Sequence, residues 1–540
     1  MNEQVSPHII RRSSIPQMLK WSVDARVVSV FWASFAVLLT LTGQLIMLDR
    51  PFQYDHDWVS AHFSTMARSF VDHGVIALRG VPIQNNPPLG LDPDVYLHWP
   101  PLFPIVLSVT FQLFGESESV AHGLMLLILL ANGLALFALV NICYGRGAGL
   151  FALFAALAMP VTVTYGSLVL HLHMGIFFML LALLAFLKAT LVARVHTGWA
   201  SFGVLAVALS VLTSWEPLLM GLALLGLAIW QRHQPRIRLA LLYCGIGLFV
   251  FIAVMGVYLS NSPDLFNDLW HTVLYRTGLV SFNASTFHIH TVTNDELYTT
   301  VGQPSLVNKL KWFARELVTH IGPLPIIALG WILSIGWLSG KSESNERSAA
   351  LFVGLMVPWL SWFVIMSNHA YAHEYQILLA MPAASAAFGV AIVTLPPDIR
   401  RFTVLIVAPL VMLLPLTLEV KNRIIDDKHR ENSLITYARH IKDNTEPTAV
   451  VMIPDNSMVP VYYSKRHMIR GVANDSIVTK VGQELSHLFP GSPVYLALHP
   501  DDTREFLQSL QGYQLVKQSK QLTLLRLPAL NMSRSAPSID

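Results

Sequence analysis

Long apolar runs recur along almost the whole chain, and they constrain its fold more than any other feature. A transmembrane helix needs about 20 consecutive apolar residues. Runs of this kind lie at 27–48, 119–143, 148–166, 168–193, 199–215, 217–231, 237–260, 320–339, 349–367, 377–395 and 401–418. Only 13% of the residues are charged, whereas a soluble domain carries about 25%. The runs therefore predict an all-α polytopic membrane domain with about eleven transmembrane helices.

The charge and cysteine content exclude several classes of protein. The net charge is only +3 and no Lys/Arg-rich run is present, so nucleic acid is not expected as a partner. Cys143 and Cys244 both fall inside apolar runs, which argues against a disulfide framework and a cysteine metal site. The first apolar run is too long for a signal-peptide core, so we interpret it as a retained first span.

The distribution of Lys and Arg predicts the orientation in the membrane. Short cytoplasmic loops collect basic residues. The basic loops lie near Arg146, at 188–194, 231–238, 341–348 and 396–401. The turns at the opposite ends of these hairpins, 165–167, 214–217 and 367–376, contain no Lys or Arg. This asymmetry places the N-terminus in the cytoplasm, provided that the short apolar stretch 100–115 is a helix on the outer membrane surface and does not span.

The same orientation divides the chain into predicted regions. A cytoplasmic tail (1–26) precedes the transmembrane domain (27–419), which includes large external loops at 49–118 and 261–319. Residues 420–530 are predicted to form a small external α/β domain, followed by a disordered tail at 531–540. In the α/β domain, strand-like runs alternate with helical patterns. The strands are expected at 448–453, 493–499, 513–518 and 522–527, and the helices at 431–443, 477–488 and 501–510.

Ionisable and hydrogen-bonding residues near the membrane gather at the predicted outer ends of the spans. Such residues are costly in lipid and are therefore functional candidates. The layer comprises Asp55, His56, Asp57, His98, His171, His173, Glu216, His369, Tyr371, His373, Glu374 and Tyr375. These positions are far apart in sequence but share one predicted membrane depth. The pattern predicts a site for a polar substrate at the boundary between water and lipid.

Several of these residues also have a structural interpretation. Asp57 precedes an amphipathic pattern and could serve as a helix N-cap. Glu216 could be a first-turn acid favoured by the helix dipole, and the tyrosines could be interfacial anchors. His171 and His173 lie on opposite sides of a helix, so at most one can face the site and a two-histidine metal pair is not expected.

An ordered set of motifs resembles a known enzyme family. The matching pieces are "YDHD" at 54–57, "MARSF" at 66–70, "YLHWPPLFPIVLSVTFQLFGESES" at 96–119 and "NHAYAHEYQILLAMPAASAAFG" at 368–389. In this order they resemble the GT-C glycosyltransferases, in particular the protein O-mannosyltransferase and aminoarabinose-transferase group, glycosyltransferase family 39. One departure is Trp99, which separates His98 from the Pro100-Pro101 pair where the family pattern has His directly before Pro-Pro.

The resemblance implies transfer of a sugar, with inversion, from a polyprenyl-phosphate donor in the bilayer to an acceptor outside. The acid that opens the first external loop in the family maps to Asp57, with Asp55 as the second choice. The helix after these aspartates is expected to lie on the membrane. The other expected substrate contacts are Arg68, His98, His173, Glu216, Arg276, His373, Glu374 and Tyr375.

The resemblance leaves the metal, the sugar and the acceptor open. Family members often carry an acid where this chain has His171 and His173. No cofactor is assigned for this reason, although Mg²⁺ or Mn²⁺ remains compatible with the family. The expected location is a bacterial inner membrane, with the C-terminal domain in the periplasm.

Two other classes of function compete with a transferase. A transporter or flippase for a lipid-linked or small polar solute would place ionisable residues near the bilayer midplane. Here the interiors of the predicted spans are nearly free of charge. A membrane-anchored assembly protein would leave the first-loop carboxylates and the turn at 368–376 without a purpose. The sequence favours the transferase.

Overall fold

The computed structural model describes most of the chain. The described residues are 25–52, 56–86, 95–190, 195–261, 265–279, 305–323, 325–329, 343–396, 433–455, 457–471, 491–499 and 513–527, together with single positions at 399, 403, 482, 485–486 and 489. Asp55 lies outside these residues, as do most of the predicted spans 320–339 and 401–418 and most of the predicted helices 477–488 and 501–510.

Helices dominate the described part of the chain. In the membrane and loop regions they are α1 (Ala25–Ile46), α2 (Asp57–His73), α3 (Leu102–Phe114), α4 (Glu118–Tyr144), α5 (Arg146–Ala158), α6 (Pro160–Tyr165), α7 (His171–Ala189), α8 (Thr197–Val211), α9 (Pro217–Trp230), α10 (Gln234–Asn261), α11 (Leu265–Thr277), α12 (Leu306–Glu316), α13 (Glu343–Ile365), α14 (Ser367–Ala372) and α15 (Met381–Thr394). A π-helical turn (Leu317–Ile321) continues α12, and a 3₁₀ segment (Glu374–Ala380) leads into α15.

The helices account for the apolar runs that fall within the described residues. Five helical segments among the described residues are long and apolar enough to cross a membrane: Glu118–Tyr144, His171–Ala189, Gln234–Asn261, Glu346–Ile365 and Glu374–Thr394. Shorter apolar helices include α5, α8 and α9. The predicted polytopic, all-α membrane architecture is confirmed. The exact number of spans stays a prediction.

The helix α3 occupies the short apolar stretch whose placement the orientation depends on. Its 13 residues extend over about 20 Å, which is less than the thickness of the hydrocarbon core. Phe103, Leu107 and Phe111 are buried, whereas Leu113 and Phe114 are largely exposed. One face of α3 thus packs on α2, and the exposed apolar end suits contact with lipid.

The helix α2 differs from the sequence-based expectation of a helix lying on the membrane. Every residue from Asp57 to Phe70 except Trp58 is buried. The reason is that α2 is enclosed by α3 and by α17 (Met458–Ser464), a helix of the C-terminal region. Its polar face is therefore covered by protein. The amphipathic pattern predicted the helix, but it could not show what covers the polar side.

The C-terminal region contains a five-stranded mixed sheet. The strands are β1 (Val450–Met452), β2 (His467–Ile469), β3 (Val494–Leu498), β4 (Gln514–Gln518) and β5 (Thr523–Arg526), in the order β2-β1-β3-β5-β4. The strand β1 pairs in parallel with β2 and β3, whereas β5 is antiparallel to β3 and β4. The helix α16 (Ser433–Asn444) precedes the sheet. The predicted α/β fold is confirmed.

One strand and one helix of this region were not predicted. The strand β2 is only three residues long and lies between Arg466 and Arg470, so its apolar signal is short. The seven-residue helix α17 likewise falls below the length at which helical periodicity can be recognised. Both elements exist because the sheet and α2 cover them.

A glycine permits the close approach of α5 and α15, which pack against each other in the membrane domain. A Cβ atom on Gly389 would meet the carbonyl oxygen of Ala148 and would lie 2.8 Å from the backbone nitrogen of Ala152. Small residues of this kind let helix backbones approach closely in membrane proteins. The packing of α5 on α15 therefore requires glycine at this position.

Replacing this glycine should destabilise the protein. We expect Gly389→Ala to cost about 1–3 kcal/mol, because the new methyl group collides with backbone atoms that cannot rotate away. The measurement is the midpoint of thermal unfolding of the purified protein in detergent. The matched control is Gly226→Ala in α9, where nothing lies within 4 Å of the added Cβ. Equal midpoints for the two variants would contradict the proposed packing constraint.

Candidate functional site

Arg276, near the end of α11, is the centre of a group of polar and aromatic side chains. Its Nη2 lies 3.5 Å from Nδ1 of His98, and its guanidinium carbon lies 5.7 Å from the ring centroid of Trp99. Its charge also acts on Tyr96, Glu216, His369, His373 and others. We call the set Tyr96, His98, Trp99, His171, Glu216, Arg276, His369, His373 and Tyr375 the Arg276 cluster.

The turn that carries His98 and Trp99 is fixed by hydrogen bonds to its backbone. The His98 carbonyl accepts a 2.9 Å bond from Trp215 Nε1, and the Trp99 carbonyl accepts a 2.8 Å bond from the Tyr258 hydroxyl. Pro100 and Pro101 have no N–H groups to donate. Side chains from α10 and from the turn between α8 and α9 hold this segment. Leu102, the first residue of α3, donates to the Leu212 carbonyl at 3.0 Å.

Ring contacts connect the members of the cluster from three parts of the chain. His369 lies 4.6 Å from His373, and the His373 ring stacks on Tyr375 with centroids 5.3 Å apart. Trp99 contacts the rings of His171 and His369 at 4.3 and 6.0 Å. The first external loop, the start of α7 and the turn before α15 thus converge on Arg276.

The histidines of the cluster outside the spans are electrically neutral. Burial, followed by the charge of Arg276, lowers the pKa of His98 to about 3. Burial, followed by the charges of His56 and Arg276, lowers the pKa of His373 to about 3, and burial places the pKa of His369 well below its usual value. A neutral imidazole offers one N–H donor and one acceptor. These rings can therefore orient a ligand through hydrogen bonds, and they add no positive charge beside Arg276.

Glu216 contributes to the cluster a carboxyl group that is a weaker acid than an ordinary glutamate. It is fully buried, and Ser214 donates a hydrogen bond to Oε2. The other oxygen, Oε1, has no hydrogen-bond partner among the described residues. Burial raises the pKa of Glu216 to about 7, although the hydrogen bond from Ser214 opposes the shift. A carboxyl group of this kind can accept or donate a proton near neutral pH.

A second group of side chains, the Glu316 cluster, adjoins the first. It consists of Glu316, His320 and Glu374, with His56 and Tyr165 beside them. The carboxylate and imidazole ligand atoms of the first three lie within 4.8 Å of one another. The Tyr165 hydroxyl donates to Glu374 Oε2 at 3.3 Å, and His56 Nε2 lies 4.0 Å from the same oxygen. The His56 ring contacts Tyr375 at 5.4 Å and thereby joins the two clusters.

Asp57 is held by an ion pair at the start of α2. Oδ2 lies 3.2 Å from Arg50 Nη2, and Oδ1 accepts a 3.3 Å hydrogen bond from Ser60. The residue at the N-cap position is His56, with φ of 67°, and it makes no side-chain cap bond. Asp57 is the first residue of the helix itself, so the interpretation of Asp57 as the N-cap is wrong.

Arg68 contacts the C-terminal region and the loop after α3. Its Nε donates to Glu116 Oε1 at 2.9 Å, its Nη2 bonds the same oxygen, and Nη2 also donates to the Tyr462 carbonyl at 3.0 Å. The guanidinium carbon lies 4.6 Å from the centre of the Tyr462 ring. These contacts fix α2 against α17. The expected contact of Arg68 with substrate stays a prediction, and its described contacts are structural.

His171 and His173 occupy different environments, as the helical spacing predicts. The His171 ring lies against Trp99 and Phe63 in the Arg276 cluster. His173 Nε2 instead lies 2.9 Å from the Tyr165 carbonyl oxygen, and the His173 carbonyl accepts a 3.0 Å bond from Asn132. His171, which was not among the expected substrate contacts, thus belongs to the cluster, whereas the ring of His173, which was among them, lies against a backbone carbonyl.

Five of the expected substrate contacts do come together. His98, Glu216, Arg276, His373 and Tyr375 lie in the Arg276 cluster, and Glu374 lies in the neighbouring one. Sequence reasoning missed Tyr96, Trp99, Arg50, Tyr165, Glu316 and His320. Only the Glu-x₃-His spacing of Glu316 and His320 offered a signal, because residues four apart share a helix face.

Comparison with known proteins identifies the fold. Residues 98–259 match the family profile described as dolichyl-phosphate-mannose-protein mannosyltransferase. The crystal structure of ArnT from Cupriavidus metallidurans bound to undecaprenyl phosphate is similar, with a TM-score of 0.62 and 15% identity, over 92% of this chain and 98% of that one. No curated protein sequence matches the chain.

A second solved structure supports the same fold. The archaeal oligosaccharyltransferase AglB from Archaeoglobus fulgidus, in complex with an inhibitory peptide and a dolichol-phosphate, has a TM-score of 0.55 and 12% identity. The match covers 88% of this chain and 70% of AglB. The resemblance of the motifs to the GT-C glycosyltransferases is confirmed, and the chain has the GT-C fold.

The acidity of Glu216 predicts how stability depends on pH. Because the pKa of Glu216 is raised to about 7 in the folded protein, its contribution to stability is present below the ordinary glutamate pKa and is lost as the pH rises through 7. Glu216→Gln removes this loss of folding stability, which amounts to about 3 kcal/mol at most. We expect the difference in thermal unfolding midpoint, variant minus wild type, to increase from pH 5 to pH 8. Glu346→Gln, at an ion pair with Arg236, is the control, and a pH-independent difference for Glu216→Gln would contradict the assignment.

Proposed function

We propose that the protein is an integral membrane glycosyltransferase that moves a sugar from a polyprenyl-phosphate donor to an acceptor on the outer side of the membrane. The observation that carries this proposal is the Arg276 cluster, a half-buried cation beside neutral hydrogen-bonding rings within a GT-C fold. The solved relatives hold undecaprenyl phosphate and dolichol-phosphate. A lipid-linked phosphate has the charge and the hydrogen-bond acceptors that such a cluster recognises.

Arg276 is the group that we assign to the donor phosphate. A guanidinium binds phosphate oxygens through two parallel N–H bonds, and such charge-assisted bonds are stronger than neutral ones. The partial burial of Arg276 strengthens the attraction further, because the local dielectric constant is lower than that of bulk water. His98, His373 and Tyr375 then supply N–H and O–H donors to the remaining oxygens. Glu216 and Glu374 are suited to sugar hydroxyls, which donate to carboxyl groups.

Asp57 is the residue that we assign as proton acceptor. In the proposed step the acceptor hydroxyl oxygen forms a bond to the anomeric carbon from the face opposite the phosphate. The bond from that carbon to the phosphate oxygen breaks, and the lipid phosphate leaves with the electron pair, so the configuration inverts. The hydroxyl proton passes to the Asp57 carboxylate. Because Arg50 pairs with Asp57, proton transfer occurs late, as the attacking hydroxyl becomes acidic.

The layout of the charged loops supports the proposed orientation. The Arg276 cluster lies at the ends of α10, α13 and α15 that the Lys/Arg distribution assigns to the outside. The acceptor site and the C-terminal sheet then face the same compartment, which in a bacterial cell is the periplasm. The sugar and the acceptor are to be identified by assay.

Labelling of single cysteines tests this orientation. Ile76, in the first external loop, is 93% exposed, and Arg232, between α9 and α10, is exposed on the opposite side of the predicted topology. In a background with Cys143 and Cys244 replaced, we expect Ile76→Cys to react with an impermeant maleimide in intact cells. Arg232→Cys should react only after the membrane is opened. The reverse pattern would invert the topology and overturn the proposed outer site.

Sugar transfer from defined donors tests the activity and its carboxylate. Membranes that contain the protein are incubated with radiolabelled polyprenyl-phosphate sugars, and the released lipid phosphate and the labelled product are quantified. Loss of the proton acceptor in Asp57→Asn should reduce the transfer rate by about 10²–10⁴-fold. Asp55→Asn is measured in parallel, since the family pattern offers it as the second choice.

The control for the carboxylate is Asp72→Asn, at an exposed position near the end of α2. It changes the same charge on the same helix and should keep full activity. In a second arm, Arg276→Gln should raise the donor KM by about 10- to 100-fold, as expected for loss of a hydrogen bond to a charged group. Full transfer by both Asp57→Asn and Asp55→Asn would refute the assigned base. Solute uptake without transfer from any donor would favour a transporter.

A further inference from the structure

Both carboxylate oxygens of Asp57 are held by other side chains. Oδ2 lies 3.2 Å from Arg50 Nη2, and Oδ1 accepts a 3.3 Å hydrogen bond from the Ser60 hydroxyl. The side chains of Arg50 and Asp57 are each only 8% exposed, and Ser60 is fully buried. Water therefore competes little for these bonds. The direction in which the carboxylate points depends on where Arg50 and Ser60 are held.

Ser60 is fixed by the segment between α6 and α7. Its hydroxyl oxygen accepts a 3.0 Å hydrogen bond from the backbone N–H of Val169, and both residues are fully buried. A serine hydroxyl can accept and donate at the same time. The hydroxyl of Ser60 thus accepts from the backbone before α7 and donates to Asp57. It fixes the carboxylate relative to that part of the membrane domain.

The segment that carries Arg50 is fixed from the C-terminal region. The backbone N–H of Phe52 donates a 2.9 Å hydrogen bond to the hydroxyl oxygen of Tyr463 in α17. The Phe52 ring is fully buried and lies 5.4 Å from the His122 ring of α4 and 5.1 Å from the Tyr462 ring of α17. The helix α17 therefore holds this segment from one side, and α4 holds it from the other.

The hydroxyl of Tyr463 stays protonated at physiological pH. Burial, followed by the charge of Glu118, raises the pKa of Tyr463. Its oxygen is therefore a neutral acceptor for the Phe52 N–H, and a moderate change of pH does not alter this bond. An effect of Tyr463 on the pH dependence of a reaction must consequently act through other groups.

We propose that Tyr463 and Ser60 are positioning residues for Asp57, and that the C-terminal region contributes to catalysis through Tyr463. This inference rests on the proposed function, in which Asp57 takes the proton of the acceptor hydroxyl. Ser60 contacts the carboxylate directly, whereas Tyr463 acts through the segment that carries Arg50. A displacement of about 1 Å in a reacting group can reduce a rate by about 100-fold. Donor binding should depend less on these residues, since the donor phosphate is assigned to the Arg276 cluster.

Transfer kinetics of two variants test the proposal. Tyr463→Phe removes the oxygen that accepts from Phe52, and Ser60→Ala removes the hydroxyl beside Asp57. Each should lower kcat by about 10- to 100-fold and change the donor KM by less than about threefold, because it disturbs the reacting geometry and not the donor site. The two variants lie on different elements, so a folding defect in one leaves the other informative.

The matched controls make the same substitutions at other buried positions. Tyr437→Phe removes a hydroxyl that donates to the Ala497 carbonyl at 2.7 Å, inside the C-terminal region. Ser69→Ala removes a hydroxyl that donates to the Met66 carbonyl at 2.7 Å, in α2. Both controls should keep the kcat of wild type. The unfolding midpoint of every variant shows whether a loss of rate follows a loss of stability.

The pH profile is a readout that a purely structural defect would not move. When the segment that carries Arg50 shifts, its pairing with Asp57 weakens, and a carboxylate without a nearby cation is protonated more readily. The acid limb of the kcat profile should therefore move to higher pH in Tyr463→Phe. It should stay at the wild-type position in Tyr437→Phe.

Hydrogen exchange separates this proposal from the proposed function, because it needs no sugar donor. We expect the peptide 47–52 to exchange faster in Tyr463→Phe than in wild type and in Tyr437→Phe. Wild-type kcat in both Tyr463→Phe and Ser60→Ala, or equal losses in each variant and its control, would overturn the positioning role. If wild type transfers no sugar, the proposed function fails, and the exchange rates alone then decide whether Tyr463 holds the segment.

Discussion

Burying polar groups among apolar transmembrane helices costs free energy, and this cost determines how the protein is organised. Within the described spans, polar side chains bond to backbone carbonyl groups of neighbouring helices. Ser210 donates to Gly175 at 3.0 Å, Asn132 to His173 at 3.0 Å, and Tyr243 to Ala182 at 3.2 Å. Such bonds connect helices without leaving a buried donor unpaired. Ionisable groups are displaced to the ends of the helices, where they can be neutral or paired.

The Arg276 cluster follows from the same constraint. A half-buried guanidinium such as that of Arg276 needs either a counter-charge or surroundings that tolerate it. Here the nearby histidines are uncharged, because burial and the arginine together lower their pKa values. The carboxyl of Glu216, with a pKa of about 7, is only partly ionised near neutral pH. The cluster therefore keeps a net positive character, and an anionic ligand would complete it electrostatically.

The C-terminal region contributes to the site through α2. Arg68 joins Glu116 to the Tyr462 carbonyl, and Lys465 bonds the other oxygen of Glu116 at 3.2 Å. Nearby, the Tyr463 hydroxyl accepts a 2.9 Å bond from the Phe52 backbone N–H. These bonds fix the helix that begins at Asp57 and the segment that leads into it. The sheet region thus braces the first external loop, although none of its described residues belongs to either cluster.

The sequence by itself determined the class of the protein and much of its outline. Apolar runs have one stable arrangement in lipid, so the helices of the membrane domain could be predicted from length and hydropathy. The strands β1, β3, β4 and β5 followed from their apolar alternation. The motif order gave the GT-C fold. Of the site, His98, Glu216, His373 and Tyr375 could be predicted together because they share a predicted membrane depth, whereas Arg276 was expected as a substrate contact after the family resemblance.

Only the tertiary structure decided which of these side chains meet and what each one contacts. Membrane depth fixes only one coordinate of a residue, so the sequence could not tell which of the two histidines faces the cluster. His171 does, whereas His173 is bonded to Tyr165. The sequence could not show that α2 is enclosed, or that Arg68 faces Glu116 and Tyr462. Nor could it bring Glu316 and His320 to Glu374. Contacts between distant segments depend on how the helices pack. The hydropathy that identifies each helix does not specify which other helices it packs against.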